Sequence, residues 1–200
     1  MKTILATHNP DKCKELQKAL NLYKIKIYTL KDFPEIGEII EDGNSLEENA
    51  FIKSRTVFNF TKIPTISDDT GLYVDSLNGA PGIFSGRYAG ENCSYSDNVH
   101  KLLSNMQNID YSIRNATFKT VVTYVSQDLE LVAEGSVKGF ITRKEKGHKG
   151  FGYDPIFYVP EYNKTFAEMN IDEKQKCSHR SIAISNLQLL FEKHNLLSKK

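Results

Sequence analysis

Two adjacent carboxylates, Asp68 and Asp69, lie in Ser67-Asp68-Asp69-Thr70-Gly71-Leu72, where the short apolar run Ile63 to Ile66 gives way to a glycine. That junction suits a divalent metal. Strand ends in an α/β layout open onto the ligand crevice, and a hard cation such as Mg²⁺ takes one or two carboxylates plus substrate phosphates. Strand geometry sends the two side chains to opposite faces. One is therefore expected to aim at the crevice and the other to bond locally. An Asx-type turn, with both carboxylates accepting backbone N–H bonds, is the structural alternative for an isolated Asp-Asp-Thr-Gly.

Three further groups of residues carry chemistry. Thr7-His8-Asn9-Pro10-Asp11-Lys12 stands between an apolar segment and an amphipathic one. A helix N-terminus there presents N–H groups and a positive dipole end to an anionic phosphate, with Thr7, Asn9 and Lys12 as added donors. The segment lacks the glycines of a Walker loop, and an ordinary Asn-capped helix start is its bland reading. Glu15, one turn beyond Lys12, is placed to pair with it or to face a metal. Phe151-Gly152-Tyr153-Asp154-Pro155 follows Gly147 and Gly150, which let a loop approach a ligand closely. The aromatic ring is a stacking platform for a base, and Asp154 an acceptor for a ring N–H or a partner for a cation. Ser178-His179-Arg180, with Lys174 one turn earlier, supplies convergent donors, including a guanidinium fork suited to carbonyl or phosphate oxygens. A Ser-His-Asp hydrolase is excluded, because Ser178 and His179 adjoin and the chain has no Gly-x-Ser-x-Gly elbow.

The elements that must position these groups follow from periodicity. Thr3 to Ala6 is a strand, followed by a helix with Cys13, Leu16, Ala19, Leu20 and Tyr23 on its apolar face. A second strand spans Ile25 to Leu30, and the Asp/Glu/Pro/Gly-rich stretch from Lys31 to Asn44 is a loop. Ser45-Leu46-Glu47-Glu48 has the capping-box pattern and opens a helix to about Phe60. After a turn at Asp68-Asp69, Leu72 to Asp75 is a strand and Gly79 to Gly90 a glycine-rich loop. Val99, Leu102, Leu103 and Met106 mark another helix. Phe118 to Val125 and Glu130 to Phe140 alternate as an antiparallel pair. Ile156 to Val159 is a short strand, Asn170 caps a short helix, and Ala183, Leu187, Leu190, Phe191 and His194 line a C-terminal helix before a frayed Lys-rich end. Strands and helices are mixed without a strict βαβ repeat. The expected fold is α/β: a long mixed β-sheet with flanking helices, in two lobes with a cleft between them, within one domain over 1–200 and without a separate linker.

Composition narrows the function classes. The 200 residues are 40% apolar and 26% charged, enough for a sizeable core. No apolar run approaches a membrane span, and the N-terminus turns polar at Thr7, too soon for a signal-peptide core. A cytoplasmic location is the expectation. Cys13, Cys93 and Cys177 lack Cys-x-x-Cys spacing, so reduced spectator thiols are expected, neither a disulfide frame nor a zinc site. A net charge of +1 provides no field for nucleic acid, although Arg143 to Lys149 is locally basic.

Taken in order, Thr7-x-Asn9-x-x-Lys12, Glu48-Asn49-Ala50, Ser67 to Leu72, Gly79-Ala80-Pro81-Gly82, Gly86-Arg87-Tyr88-Ala89-Gly90, Phe151 to Phe157 and Ser178-His179-Arg180 resemble the inosine triphosphate pyrophosphatase family, in its bacterial form. The resemblance spans nearly the whole chain. It implies a homodimeric, Mg²⁺-dependent enzyme that hydrolyses ITP, dITP and XTP to the monophosphate and pyrophosphate, with the substrate between two lobes. By motif, Asp69 is the catalytic acceptor and a metal ligand, and Thr70 touches the substrate. Thr7, His8, Asn9, Pro10, Asp11 and Lys12 hold the triphosphate. Phe151, Gly152, Tyr153, Asp154 and Lys174 line the nucleoside site, and His179 with Arg180 reads the base. Glu41 occupies the position of a second metal ligand, in less well matched surroundings, and Lys53 adds a phosphate contact.

The implied mechanism is water attack at the α-phosphorus, with positioning and charge neutralisation carrying the chemistry. Arg180 donates but cannot accept, so it suits the C6 carbonyl of hypoxanthine or xanthine and opposes the amino group of adenine. Departures from the commonest bacterial pattern are small: Ser67 and Thr70 flank the carboxylates where Ala and Ser are usual, and His8 replaces a smaller residue. Two other function classes are a catalytically silent purine nucleotide sensor and, further off, a single-stranded nucleic-acid-binding module. Retention of Lys12, Glu41 and Asp69 together argues against the first, and balanced charge against the second.

Overall fold

A computed structural model describes residues 2–20 and 25–196. Tyr23 and the end of the Lys-rich tail, residues 197–200, lie outside the described residues. In chain order the elements are β1 (Lys2–Leu5), α1 (Pro10–Leu20), β2 (Lys26–Thr29), α2 (Leu46–Thr61), β3 (Thr65–Val74), β4 (Pro81–Gly82), α3 (Tyr95–Asn105), β5 (Asn115–Val125), β6 (Glu130–Ile141), β7 (Phe157–Val159), β8 (Lys164–Thr165), α4 (Ile171–Cys177) and α5 (His179–Lys193). The strands form one eight-stranded sheet in the order β2-β1-β3-β5-β6-β7-β8, with β4 on β3. It is mixed: β1 is parallel to β2 and β3, whereas β4, β7 and β8 pair antiparallel with β3, β6 and β7. The expected α/β class with a long mixed sheet and flanking helices is the observed one.

The described residues divide into two compact units, one drawn from 2–20, 25–69, 120–135 and 179–196, the other from 70–119 and 136–178. In the first, period-two alternation sorts the strands' side chains onto two faces. Leu5 and Ile66 join Leu16 and Leu20 of α1, Val122 and Tyr124 of β5, and Ala183, Leu187 and Phe191 of α5. Ile4 and Ala6, on the opposite face, pack with Leu30 and with Val57 of α2. Ser45 caps α2 by accepting from the Glu48 N–H at 3.0 Å. The Glu48 carboxylate turns one residue further back than a capping box requires, to the Asn44 N–H at 2.6 Å. Gly135 in β6 lets α5 come close: a Cβ there would stand 2.2 Å from the His179 carbonyl oxygen and 2.4 Å from the Ala183 nitrogen.

The second unit is built on Leu72, Val74, Val99, Leu102, Met106, Phe118, Phe157 and Phe166. Phe157 and Phe166 stack at 5.1 Å between ring centroids, and Phe118 meets Phe157 edge-on at 4.7 Å. Arg114 is buried among carbonyls, donating to Ile141, Met106 and Thr142 at 2.8, 2.6 and 2.9 Å. Burial lowers its pKa from the ordinary value, with Arg143 adding to the effect.

Two local expectations change. The chain does not turn at Asp68-Asp69; β3 runs unbroken from Thr65 to Val74. Beyond Gly71 the strand is held by pairing of Leu72 with Gly82 and by donation of the Leu72 N–H to Ser85 Oγ at 2.8 Å. Those long-range partners outweigh the local turn preference of Asp-Asp-Thr-Gly. The loop from Gly79 to Gly90 also has regular structure, namely β4 and a 3₁₀ turn at Ser85–Arg87.

Candidate active site

In the first unit, β1 leads through α1 to β2 on one side of it, while β3 pairs on the other side. This is a switch point in a parallel sheet, and ligands bind outside the carboxyl ends of strands at such points. Register places the carboxylates there. The last residue of β1, Leu5, pairs with Ile66, so Asp68 and Asp69 extend past the end of β1. The segment from Thr7 to Lys12 leaves β1 at the same end.

Alternation then gives the two carboxylates different neighbours. Asp68 lies on the face of Ile66, toward α1 and α5, and is fully buried. Arg180 at the start of α5 donates from Nε to Asp68 Oδ2 at 3.1 Å, and Lys12 Nζ lies 3.4 Å from the same oxygen. Burial alone would raise the Asp68 pKa, but Lys12, Arg180 and Lys53 outweigh it and hold the carboxyl well below the usual range. Arg180, 2% exposed, also donates from Nη1 to Glu15 of α1. Burial would lower the Arg180 pKa, yet Asp68 and Glu15 carry it above the ordinary value.

Asp69 faces α2. Its Oδ2 accepts from Asn49 Nδ2 at 3.3 Å, and its Oδ1 lies 3.7 Å from Lys53 Nζ and 4.0 Å from Lys12 Nζ. Lys53 Nζ also donates to Glu41 Oε2. Asn49 and Lys53 are four apart on α2 and so share a face. Glu41 and Asp69 therefore converge on a single positive charge. Among the described residues no group of three or more His, Cys, Asp or Glu side chains assembles as a metal cage. Two convergent carboxylates fit Mg²⁺, which takes one or two carboxylates and completes its shell with phosphate and water oxygens.

Asn9 caps α1, its Oδ1 accepting from the Asp11 and Lys12 N–H groups at 2.9 and 3.2 Å, with Pro10 at the first helical position. Those two donors, expected to face a phosphate, are thus occupied by the cap. Thr7 Oγ1 accepts from the Asn9 N–H at 3.2 Å, and His8 is exposed with Nε2 2.9 Å from the Gly37 carbonyl oxygen. In this segment the Lys12 side chain reaches both carboxylates. Cys13 approaches the Thr7 carbonyl; burial, then Asp68, pushes its thiol pKa up, away from a nucleophilic thiolate.

The second unit brings Phe151, Asp154 and Lys174 together. Lys174 Nζ donates to Asp154 Oδ2 at 2.6 Å and stands 4.9 Å from the centroid of the Phe151 ring. Asp154 Oδ2 also accepts from the Phe151 N–H at 2.9 Å. Of the two expected partners for Asp154, the structure shows the cation. Tyr153 is buried and donates its hydroxyl to the Ser85 carbonyl at 2.9 Å; burial, then Tyr88 and Cys93, raises its pKa above the ordinary value. Gly147 and Gly150 make room for the protein's own atoms, because added Cβ atoms would meet Ala167 backbone at 2.4 Å and Asp154 Oδ2 at 1.9 Å. Gly152 adopts a positive φ of 61°. Thr70 follows Asp69 in β3 and is half-buried, and His179 opens α5 and is buried.

Asn49 was not among the expected site residues; it was visible as part of a motif, with Lys53 at helical spacing as its signal. The engagement of Arg180 by Asp68 and Glu15 was not visible, since it joins positions 112 and 165 residues apart. The expectation that the second carboxylate bonds locally is corrected by the same contacts. Asp68 is buried on the face toward α1 and α5, where cations from distant segments meet it.

Residues 3–189 match the Ham1 family. The chain is similar to the dITP/XTP pyrophosphatase of Thermoanaerobacter pseudethanolicus, 44% identical over 188 residues that cover 94% of this chain and 95% of that one. The dITP/XTP pyrophosphatase of Listeria innocua is 42% identical, with 94% and 93% covered. Among solved structures, the Ham1 protein of Staphylococcus aureus aligns with a TM-score of 0.86 at 36% identity, covering 97% of this chain and 100% of that one. A Ham1 protein from Coxiella burnetii gives 0.87 at 37%, with 96% and 99% covered. Seven motifs in order, the sheet and helices that carry them and a match over nearly the full length lead to one assignment: the chain belongs to the Ham1 family.

Proposed function

We propose that this chain hydrolyses non-standard purine nucleoside triphosphates, namely ITP, dITP and XTP, to the monophosphate and pyrophosphate. The observation that carries the reading is the convergence of Glu41, Asp68, Asp69, Lys12 and Lys53 where β3 runs past the carboxyl end of β1, in a chain whose full-length relatives are named dITP/XTP pyrophosphatases. Lys12 and Lys53 supply positive charge for the triphosphate. Asp69 orients the attacking water and accepts its proton at a carboxylate oxygen. Asp68, fixed by Arg180, holds Lys12 in place. Glu41 and Asp69 are the residues that would hold Mg²⁺, which when bound neutralises charge on the phosphate oxygens. In the second unit, Phe151 offers a face to the base, with Lys174 and Asp154 beside it.

Against the expected base-reading role, we read Arg180 as holding Asp68, because Nε and Nη1 are directed at carboxylates. Among the described residues no helix is long and apolar enough to cross a membrane. We place the enzyme in the cytoplasm as a homodimer, the latter open to light scattering.

The test is pyrophosphate release from a panel of ITP, dITP, XTP, ATP and GTP, with Mg²⁺ and with EDTA. Turnover of the first three that EDTA abolishes supports the reading. Nucleotide binding without pyrophosphate release would leave a silent sensor in its place.

A further inference from the structure

We propose that Tyr95 is a positioning residue for the nucleoside site, holding the Phe151 ring at the angle at which it receives a base. The inference rests on the reading of Phe151 as the stacking platform. Tyr95 is the first residue of α3, and its place is set on both sides. Ser94 caps the helix, its Oγ accepting from the Asp97 N–H at 3.2 Å while the Asp97 carboxylate accepts from the Ser94 N–H at 2.8 Å. Val99 and Leu102, further along α3, are buried in the core of the same unit. A side chain at this position therefore projects from a pinned helix end rather than from a loop.

The Tyr95 ring lies 5.7 Å from that of Phe151, centroid to centroid, with 42° between the planes. Aromatic pairs at this separation attract beyond the area they bury. Tyr95 remains 43% exposed, so its ring is not spent on filling the core. Phe151 meanwhile stands on a glycine-rich segment, between Gly150 and Gly152, both at positive φ. Its backbone is tied down by the bond of its N–H to Asp154, and Lys174 stands beside its ring. Tyr95 supplies the aromatic contact from outside this segment, through a rigid element.

The same helix holds the neighbouring glycine-rich motif. Asn98 accepts from the Ala89 N–H at 2.7 Å and donates to the Gly86 carbonyl at 3.1 Å, and Lys101 donates to the Tyr88 carbonyl at 2.6 Å. One turn of α3 thus fastens Gly86 to Gly90 while its first residue meets Phe151. The same bonds hold α3 in register for Tyr95.

The experiment measures ITP hydrolysis and competitive inhibition by tripolyphosphate, which has no nucleoside, for Tyr95→Ala, Tyr95→Phe, Phe151→Ala and the Tyr95→Ala/Phe151→Ala double variant. Tyr95→Ala should raise KM for ITP about two- to twelve-fold, the worth of one aromatic pair, with kcat and the tripolyphosphate Ki unchanged. Tyr95→Phe should restore the wild-type KM, and the double variant should be no worse than Phe151→Ala alone. An unchanged KM in Tyr95→Ala, an equal rise in tripolyphosphate Ki, or independent losses in the double variant would overturn the proposal. If Phe151→Ala itself leaves the KM for ITP unchanged, the platform reading of Phe151 fails first, and that outcome is separate from a Tyr95 variant that is silent while Phe151→Ala is impaired.

Discussion

A buried carboxylate must be matched by cations, and Asp68 is met by Arg180 and Lys12 from different parts of the chain. Removing one partner of a buried, hydrogen-bonded charge pair costs about 3–5 kcal/mol, because the other is left uncompensated. Arg180→Met should therefore lower stability by roughly that amount, read as a fall in the urea midpoint. Its kcat/KM should fall by the same factor for ITP and for ATP, since Arg180 acts on Asp68 and not on the purine. A loss confined to ITP would return Arg180 to the base. Asp69 is the contrasting case. It faces Lys53 and Asn49 and keeps a small exposed surface, so Asp69→Asn should fold normally. Turnover should drop about 10²–10⁴-fold, the usual contribution of a general base. Wild-type turnover of this variant at saturating Mg²⁺ would remove Asp69 from the chemistry.

At the scale of elements, the site depends on how closely α5 lies on β6. Gly135 is where they touch, and a Cβ there would press on backbone atoms of His179 and Ala183, which cannot rotate away as a side chain can. Gly135→Ala should cost at least the roughly 1–3 kcal/mol of ordinary overpacking. Because α5 begins at His179, the displacement also reaches Arg180, one residue on. Activity measured well below the melting temperature should fall together with stability. A variant that loses stability and keeps full kcat/KM would show that α5 shifts without carrying Arg180 away from Asp68.

For the whole molecule, the buried carboxylate sets a pH dependence. The folded pKa of Asp68 is depressed below its ordinary value of 3.8. Its contribution to stability is thus fully present above that value and is lost as pH falls from there through the folded pKa. Urea midpoints measured from neutral pH down to about pH 3 should decline on the acid side, and the decline should be shallower in Asp68→Asn, which has no proton to take up there. Equal slopes in the two proteins would mean that other carboxylates govern acid unfolding.

Local chemistry made much of this protein readable from its sequence. Strand and helix periodicity located β1, α1, α3, the β5–β6 pair and α5, and Ser45 and Asn170 marked helix starts, because propensity and capping act over a few residues. The order of the motifs identified the family, and the spacing of Asp68 and Asp69 placed them on opposite faces of a strand. What tertiary structure alone decided were the partners that pairing supplies from afar. The continuity of β3 through Gly71 needed Gly82 and Ser85. The setting of Asp68 needed Arg180 from the last helix and Lys12 from the first. The contact of Tyr95 with Phe151 joins segments that nothing local brings together. Burial of a charge or a ring is a property of everything packed around it, and that becomes definite only when the sheet order and register bring distant segments side by side.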